Sequence, residues 1–356
     1  MADSRPRDPR PGIAIFGAGL VGLYIGGLLA KLADVTFIGR PSMLDALNNG
    51  LRLTNATGLD VLVPAAGFAR ATQPDALAGA ELILVTTKSM QTTEASAAIA
   101  RFAPADASVI SFQNGVSNAE QLRACVGNRP VLAGMVAFNV AQRTPQHLHC
   151  GIGGALAVEA GAIAAHYADL FAAVGLPLQQ SEDIAGLQWG KLLLNLNNAL
   201  NALSGVSLGE QLRQPDFRRC WALLIAEALE LLQAADIRPA DTLAMPIRLM
   251  PEILSVSNSL YGYIISISGR GSARADPHAR SSMANDFSRG RATEIDYLQG
   301  EVVRLAQRLG RSAPVNQCVI DLVKAVEQDR SKSFQPMAGS DLYRMLSAAR
   351  QGHGLN

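Results

Sequence analysis

The stretch GIAIFGAGLVGLYIGGLLAKLADVTFIGR, residues 12–40, constrains the fold more than any other part of the chain. A short apolar run leads into glycines, an apolar helical segment continues to about Lys31, and residues 35–38 return as a second strand. This is a βαβ unit. The glycines at 17, 19 and 22 follow the G-x-G-x-x-G spacing. Gly17 permits a tight turn, Gly19 lets the backbone approach a pyrophosphate, and Gly22 allows close packing of helix on strand. The loop Gly17, Ala18, Gly19, Leu20, Val21 and Gly22 then opens a helix whose free N–H groups suit an anion. Because strand, helix and second strand all flank the motif, it reads as a dinucleotide site.

The end of the second strand discriminates between NAD and NADP. An acidic residue there would accept from the ribose 2′-hydroxyl; this chain has Gly39 and Arg40, and a guanidinium suits a 2′-phosphate. The expected cofactor is therefore NADP(H). In an open parallel sheet, ligands lie beyond the carboxyl ends of the strands. ILVTTKSMQT ends with Lys88 and Gln91, and VISFQNG ends with Gln113, Asn114 and Gly115. Lys88 can balance cofactor phosphates and Asn114 can touch the nicotinamide ribose or substrate; the plainer reading is that both solvate strand exits.

At 356 residues the chain exceeds a comfortable single core. Strand and helix alternate up to about residue 180, with a hairpin at GLRLTN and DVLVPA, the pattern of a mostly parallel sheet covered on both faces. Beyond that, Leu/Ala/Glu-rich segments predict helices at 189–203, 217–235, 246–267 and 293–309, the last ended by Gly310. The expected organisation is a flexible leader at 1–11, a dinucleotide-binding domain at 12–180, a helical domain at 181–332 and an extension at 333–356, read as a short helix and a loose end. A formal net charge of +1 gives no electrostatic case for nucleic acid. No apolar stretch approaches the roughly 20 residues that a membrane helix needs. Four scattered cysteines without C-x-x-C spacing read as reduced, cytoplasmic thiols, with no metal.

Reductases built on such cofactor domains differ in their proton donor. None of the six tyrosines has a lysine four residues later, which excludes a Tyr/Lys short-chain mechanism. The five histidines have no convincing carboxylate partner, and His149 in HLHCGIGG reads as a turn residue. A serine hydrolase G-x-S-x-G is also missing. Lys191 in QWGKLLLNLNN remains: a partly desolvated lysine can protonate the oxygen of a carbonyl that receives hydride. Asn195 follows at i+4 and Asn198 at i+7 on one helical stripe. Near residues 281–309, Ser282 can bind a carboxylate, and Glu294 can bond the cofactor ribose or substrate and tune Lys191. Helix capping is the plainer reading of both.

Taken together, GAGLVG, TTKSMQT, SFQNGVSN, WGKLLLN and SSMANDFSRGRATEIDYLQGEVVRLAQRLGRSAPVN resemble the ketopantoate reductases (2-dehydropantoate 2-reductases) from about residue 12 to 323. The resemblance implies an α/β Rossmann-type N-terminal domain and an all-α C-terminal domain like that of 6-phosphogluconate dehydrogenase. It implies NADPH-dependent reduction of a small 2-keto acid, 2-dehydropantoate, to (R)-pantoate, a step towards pantothenate and coenzyme A. Lys191 would then be the proton donor, Asn114 would contact cofactor and substrate, and Asn195 would orient the substrate. Ser282 would bind its carboxylate, Glu294 would lie near both, and Lys88 and Arg40 match cofactor-phosphate positions. The family places a second asparagine eight residues after the lysine, where this chain has Ala199, with Asn198 and Asn201 as the nearest candidates. Either a one-residue shift lets Asn198 substitute, or the hydroxyl end of the substrate is read differently. A longer segment at 245–280 is a second departure. The alternatives are a relative that reduces another 2-keto acid and a non-catalytic NADP sensor. Helical faces such as 217–235 could pair in a homodimer.

Overall fold

The computed structural model describes residues 10–152, 155–241, 245–267, 279–328 and 334–352. Most of the expected leader, His278, His353 and part of the 245–280 segment lie outside them. The chain divides into two compact units, Met1–Ile184 and Ala185–Asn356.

In the first unit the strands are β1 (Gly12–Phe16), β2 (Asp34–Ile38), β3 (Leu51–Asn55), β4 (Asp60–Val63), β5 (Ala69–Ala71), β6 (Leu82–Val85), β7 (Ser108–Ser111), β8 (Val131–Val136), β9 (Asn139–Thr144), β10 (His147–Ile152), β11 (Leu156–Glu159) and β12 (Leu178–Ser181). Its helices are α1 (Leu20–Leu29), α2 (Pro41–Leu44), α3 (Thr92–Phe102), α4 (Asn118–Cys125) and α5 (Ala162–Ala173). Eight strands form one sheet in the order β12-β11-β8-β7-β6-β1-β2-β5, parallel except between β8 and β11. The strand order reverses between β1 and β6, so the loops after them open at a topological switch point.

The expected hairpin is the antiparallel pair β3–β4. It belongs to a second sheet, β4-β3-β10-β9, which puts His147 and His149 on a strand and corrects the reading of His149 as a turn residue. Leu148 and Cys150 are buried on one face of β10. On the other, the Thr54 hydroxyl lies 2.8 Å from both His147 Nε2 and His149 Nδ1.

The second unit is helical: α6 (Ile184–Asn195, which begins at the boundary), α7 (Asn197–Ser204), α8 (Leu208–Arg213), α9 (Pro215–Ala234), α10 (Met250–Ser255), α11 (Asn258–Ile267), α12 (Ser282–Ser288), α13 (Gln299–Arg308), α14 (Pro314–Gln328) and α15 (Gly339–Gly352). Three of the four expected helices are interrupted. The segment 189–203 breaks at Leu196, between α6 and α7. Residues 246–267 divide into a 3₁₀ turn, Ile247–Leu249, followed by α10 and α11, and residues 293–309 divide into a 3₁₀ turn, Ile295–Tyr297, and α13. At the α10–α11 junction the buried Arg218 supplies the reason, because Nε donates to Leu254 O at 3.3 Å and Nη2 to Val256 O at 3.1 Å. Its guanidinium also lies 4.4 Å from the centre of the Tyr261 ring. Gly310 ends α13 with a φ of +64°, as its position in the sequence suggests.

Residues 339–352 are packed rather than appended: Leu342 and Leu346 of α15 are fully buried, and Met337 N donates to Leu203 O at 2.9 Å. The first turn of α14 is capped from α9. Glu227 accepts from Val315 N at 2.9 Å, Asn316 N at 2.8 Å and Asn316 Nδ2 at 2.8 Å. Burial pushes the Glu227 carboxyl above its ordinary range, and these donors oppose the shift. Replacing Glu227 with Ala strands several buried donors and should lower stability by about 3 kcal/mol, read as a fall in the urea midpoint; Glu227→Gln, which keeps one acceptor oxygen, should cost less.

Candidate functional site

In the first unit, Gly17 adopts a φ of +114°, and a Cβ there would stand 2.5 Å from Thr87 N. A Cβ on Gly22 would lie 2.4 Å from Thr86 Oγ1 and 2.9 Å from Ile15 Cγ2, so the helix can sit this close only without one. Thr86 Oγ1 donates to Gly17 O at 2.7 Å, binding the β6 exit to the glycine loop. Around Gly19 the space is open: a Cβ there would meet no heavy atom within 4 Å. The first bond of α1 runs from Leu23 N to Gly19 O, so the amides of Leu20, Val21 and Gly22 precede the helical ladder. These amides and the open face at Gly19 suit a pyrophosphate.

Arg40 is exposed directly after β2. Gly39 before it leaves room for the loop, since a Cβ would stand 2.7 Å from Ala18 Cβ. Gly17 N and Ala18 N both donate to Ile38 O, so Arg40 follows a strand end bonded to the glycine loop. Lys88 and Asn114 are half-buried at the exits of β6 and β7. Buried polar groups knit those exits together. Gln113 Nε2 donates to Thr87 Oγ1 at 3.2 Å and Thr92 Oγ1 at 2.9 Å, while Ser89 Oγ donates to Asn114 O at 2.6 Å. Gln113 therefore supports the loop from beneath, a role that its exit position alone did not reveal.

In the second unit, Lys191 and Asn195 are half-buried one turn apart on α6. Burial lowers the Lys191 pKa to about 8, opposed by the nearby Glu294 carboxylate. Glu294 precedes the 3₁₀ turn Ile295–Tyr297. An amine of this kind keeps its proton at neutral pH yet gives it up more readily than an ordinary lysine.

Of the stripe expected through Lys191, Asn195 and Asn198, the first two lie on α6 and Asn198 on α7, across a junction at Leu196 that keeps right-handed helical angles (φ −57°, ψ −26°). Its backbone carbonyl accepts from Ser281 Oγ at 3.1 Å. Ser281 also caps α12 by accepting from Ala284 N at 3.1 Å, and it presents Ser282, exposed, as the first helical residue. The other two asparagines are structural. Gln211 Nε2 donates to Asn197 Oδ1 at 3.0 Å, Asn201 Nδ2 donates to Gln211 Oε1 at 3.1 Å, and Ser281 N donates to Asn201 Oδ1 at 2.9 Å. This buried amide network ties α7 to α8 and α12. Ala199, where the resemblance leads to the expectation of a second asparagine, is fully buried. Among the described residues no group of three or more His, Cys, Asp or Glu side chains could hold a metal, and no helix is long and apolar enough to cross a membrane.

Comparison with known proteins agrees with this layout. Residues 13–162 match the family model "Ketopantoate reductase PanE/ApbA", and residues 183–327 match its C-terminal counterpart. The 2-dehydropantoate 2-reductase of Pyrococcus horikoshii is 28% identical over 324 residues, which cover 88% of this chain and 97% of the relative. The crystal structure of a PanE/ApbA family ketopantoate reductase from Ralstonia eutropha JMP134 superposes with a TM-score of 0.75 at 31% identity, covering 90% of this chain and 100% of that one. D-mandelate dehydrogenase, in a ternary structure with NADH and anilino(oxo)acetate, shares the fold with a TM-score of 0.71 at 20% identity, covering 90% of this chain and 100% of its own.

Replacing Glu294 with Gln removes the charge that raises the proton affinity of Lys191. The pH midpoint of Lys191 acylation, followed by peptide mass spectrometry, should then fall below the wild-type value of about 8.

Proposed function

Because the chain belongs to the ketopantoate reductase PanE/ApbA family, we propose that it reduces 2-dehydropantoate to (R)-pantoate with NADPH. The observation that carries the reading is Lys191, a lysine of lowered pKa beside Glu294. When bound, the dinucleotide supplies the hydride. The first-turn amides of α1 and the open face at Gly19 hold its pyrophosphate, and Lys88 adds positive charge at the β6 exit. Arg40 pairs with the 2′-phosphate, which makes NADPH the preferred form. Asn114 contacts both cofactor and substrate.

On the substrate side, Asn195 orients the keto acid and Ser282 binds its carboxylate. Asn198 is the available amide for the hydroxyl end, since Asn201 is engaged with Gln211 and Ser281. Lys191 Nζ gives its proton to the oxygen that becomes the new hydroxyl. Glu294 keeps enough proton on that amine at neutral pH for it to act as an acid.

A second reading, reduction of a different 2-keto acid, is favoured by Ala199 and by the shared fold of D-mandelate dehydrogenase. Oxidation of NADPH should be measured with 2-dehydropantoate beside a panel of aliphatic and aromatic 2-keto acids. Turnover with 2-dehydropantoate should be the highest and should decline as pH rises through about 8, because the donor must be protonated. Turnover of another keto acid alone would establish the second reading, and NADPH binding without any turnover would establish a sensor. Arg40→Ala should raise KM for NADPH by about tenfold or more and leave KM for NADH nearly unchanged, because one charge-assisted pair is lost.

A further inference from the structure

Two buried side chains reach backbone carbonyls at the junction of α6, which carries Lys191, and α7. Trp221 Nε1 donates to Leu193 O at 3.3 Å, and Gln299 Nε2 donates to Leu196 O at 2.8 Å. In an unbroken helix the Leu193 carbonyl would serve the amide of residue 197, and Trp221 takes that place; the Leu196 carbonyl, at the N-cap of α7, opens the next ladder and receives Gln299 as an additional donor. The chain has neither Gly nor Pro between Lys191 and Ser204 to account for the junction.

Gln299 is fully buried, yet its Oε1 has no hydrogen-bond partner. A stranded amide oxygen costs stability, and an apolar side chain of the same length would avoid that cost. Its place in the chain offers another reason to keep it. Gln299 lies five residues after Glu294, across the 3₁₀ turn Ile295–Tyr297, and Leu196 lies five residues after Lys191, across the last turn of α6. One hydrogen bond therefore joins two short, structured segments whose far ends carry the carboxylate and the ammonium.

We propose that Gln299 is a positioning residue: through its bond to Leu196 O it sets the separation of Glu294 from Lys191, and thereby how readily the lysine gives up its proton. The catalytic consequence rests on the reading of Lys191 as donor. Neither α6 nor α7 carries another charged side chain. On the elements around the junction, Glu301 pairs with Arg304 at 3.1 Å and Asp296 with Lys324 at 2.7 Å. Glu227 accepts from the α14 amides, and Arg218 donates to the carbonyls of Leu254 and Val256. Glu294 is the charge to which the lysine responds.

The test is a double-mutant cycle on the full-length protein, read by the pH dependence of Lys191 acylation and by steady-state kinetics. Gln299→Met removes the donor and keeps the length of the side chain. It should lower the acylation midpoint by about half a unit or more, because Glu294 no longer holds its place. It should also lower kcat by roughly tenfold or more, with KM for the keto acid within about twofold. In a Glu294→Gln background the same substitution should leave the midpoint where it is. A folded Gln299→Met protein with an unmoved midpoint would overturn the proposal, as would an equal shift in both backgrounds. Should the methionine variant fail to fold, Gln299→Asn, which withdraws the amide by one methylene, must give the same direction of shift. Acylation needs no substrate. A cycle that behaves as expected in a protein that reduces no keto acid would therefore support the positioning role while rejecting Lys191 as a proton donor.

Discussion

A buried peptide carbonyl needs a donor, and at the decisive points of the second unit that donor is a side chain rather than the next turn of the helix. Arg218 supplies it for Leu254 and Val256 and Trp221 for Leu193, while Gln299 adds a second donor to Leu196 O at the start of α7. Each of these bonds marks a place where an apolar segment long enough for one helix becomes two. These interruptions end α6 at Asn195 and start α7 at Asn197, the turn that carries Asn198. Side chains from α9 and from α13 thus act together on the segment that bears Lys191.

The first unit solves its central problem by omission. Strand, helix and the β6 exit meet where a methyl group on either Gly17 or Gly22 would collide with its neighbours. Beneath that junction Gln113, Thr87, Thr92 and Ser89 satisfy one another and the Asn114 carbonyl. The loops at the switch point are therefore supported by hydrogen bonds from below while their upper face, at Gly19, stays open.

How much of this is legible in the sequence depends on how far apart the causes lie. The βαβ unit, the β3–β4 hairpin and the end of α13 at Gly310 follow from signals within a few residues of each other. Strand β10 is harder. His147, Leu148, His149 and Cys150 do alternate, but the strand is short, runs into glycines, and pairs with β3 almost a hundred residues earlier. The junction at Leu196 has no local signal, since the side chains that bond its carbonyls, Trp221 and Gln299, come from distant elements. The four asparagines show the same division. Lys191 and Asn195 can be read from one turn of helix, whereas the structural work of Asn197 and Asn201 requires Gln211 and Ser281. Residue type alone makes Glu294 a candidate partner for Lys191, and only the fold supplies the bond between Gln299 and Leu196 that links their two segments.

The packing of α15 has a consequence for the order of events in synthesis. Leu342 and Leu346 complete the apolar face of α9, and the segment just before α15 bonds to Leu203 at the end of α7. The core of the helical unit therefore lacks its last wall until α15 has been made. The α/β unit, whose strands all lie before residue 182, has everything it needs much sooner. A nascent chain paused before α15 would carry one finished unit and one with an uncovered apolar helix face, the kind of surface that draws chaperones.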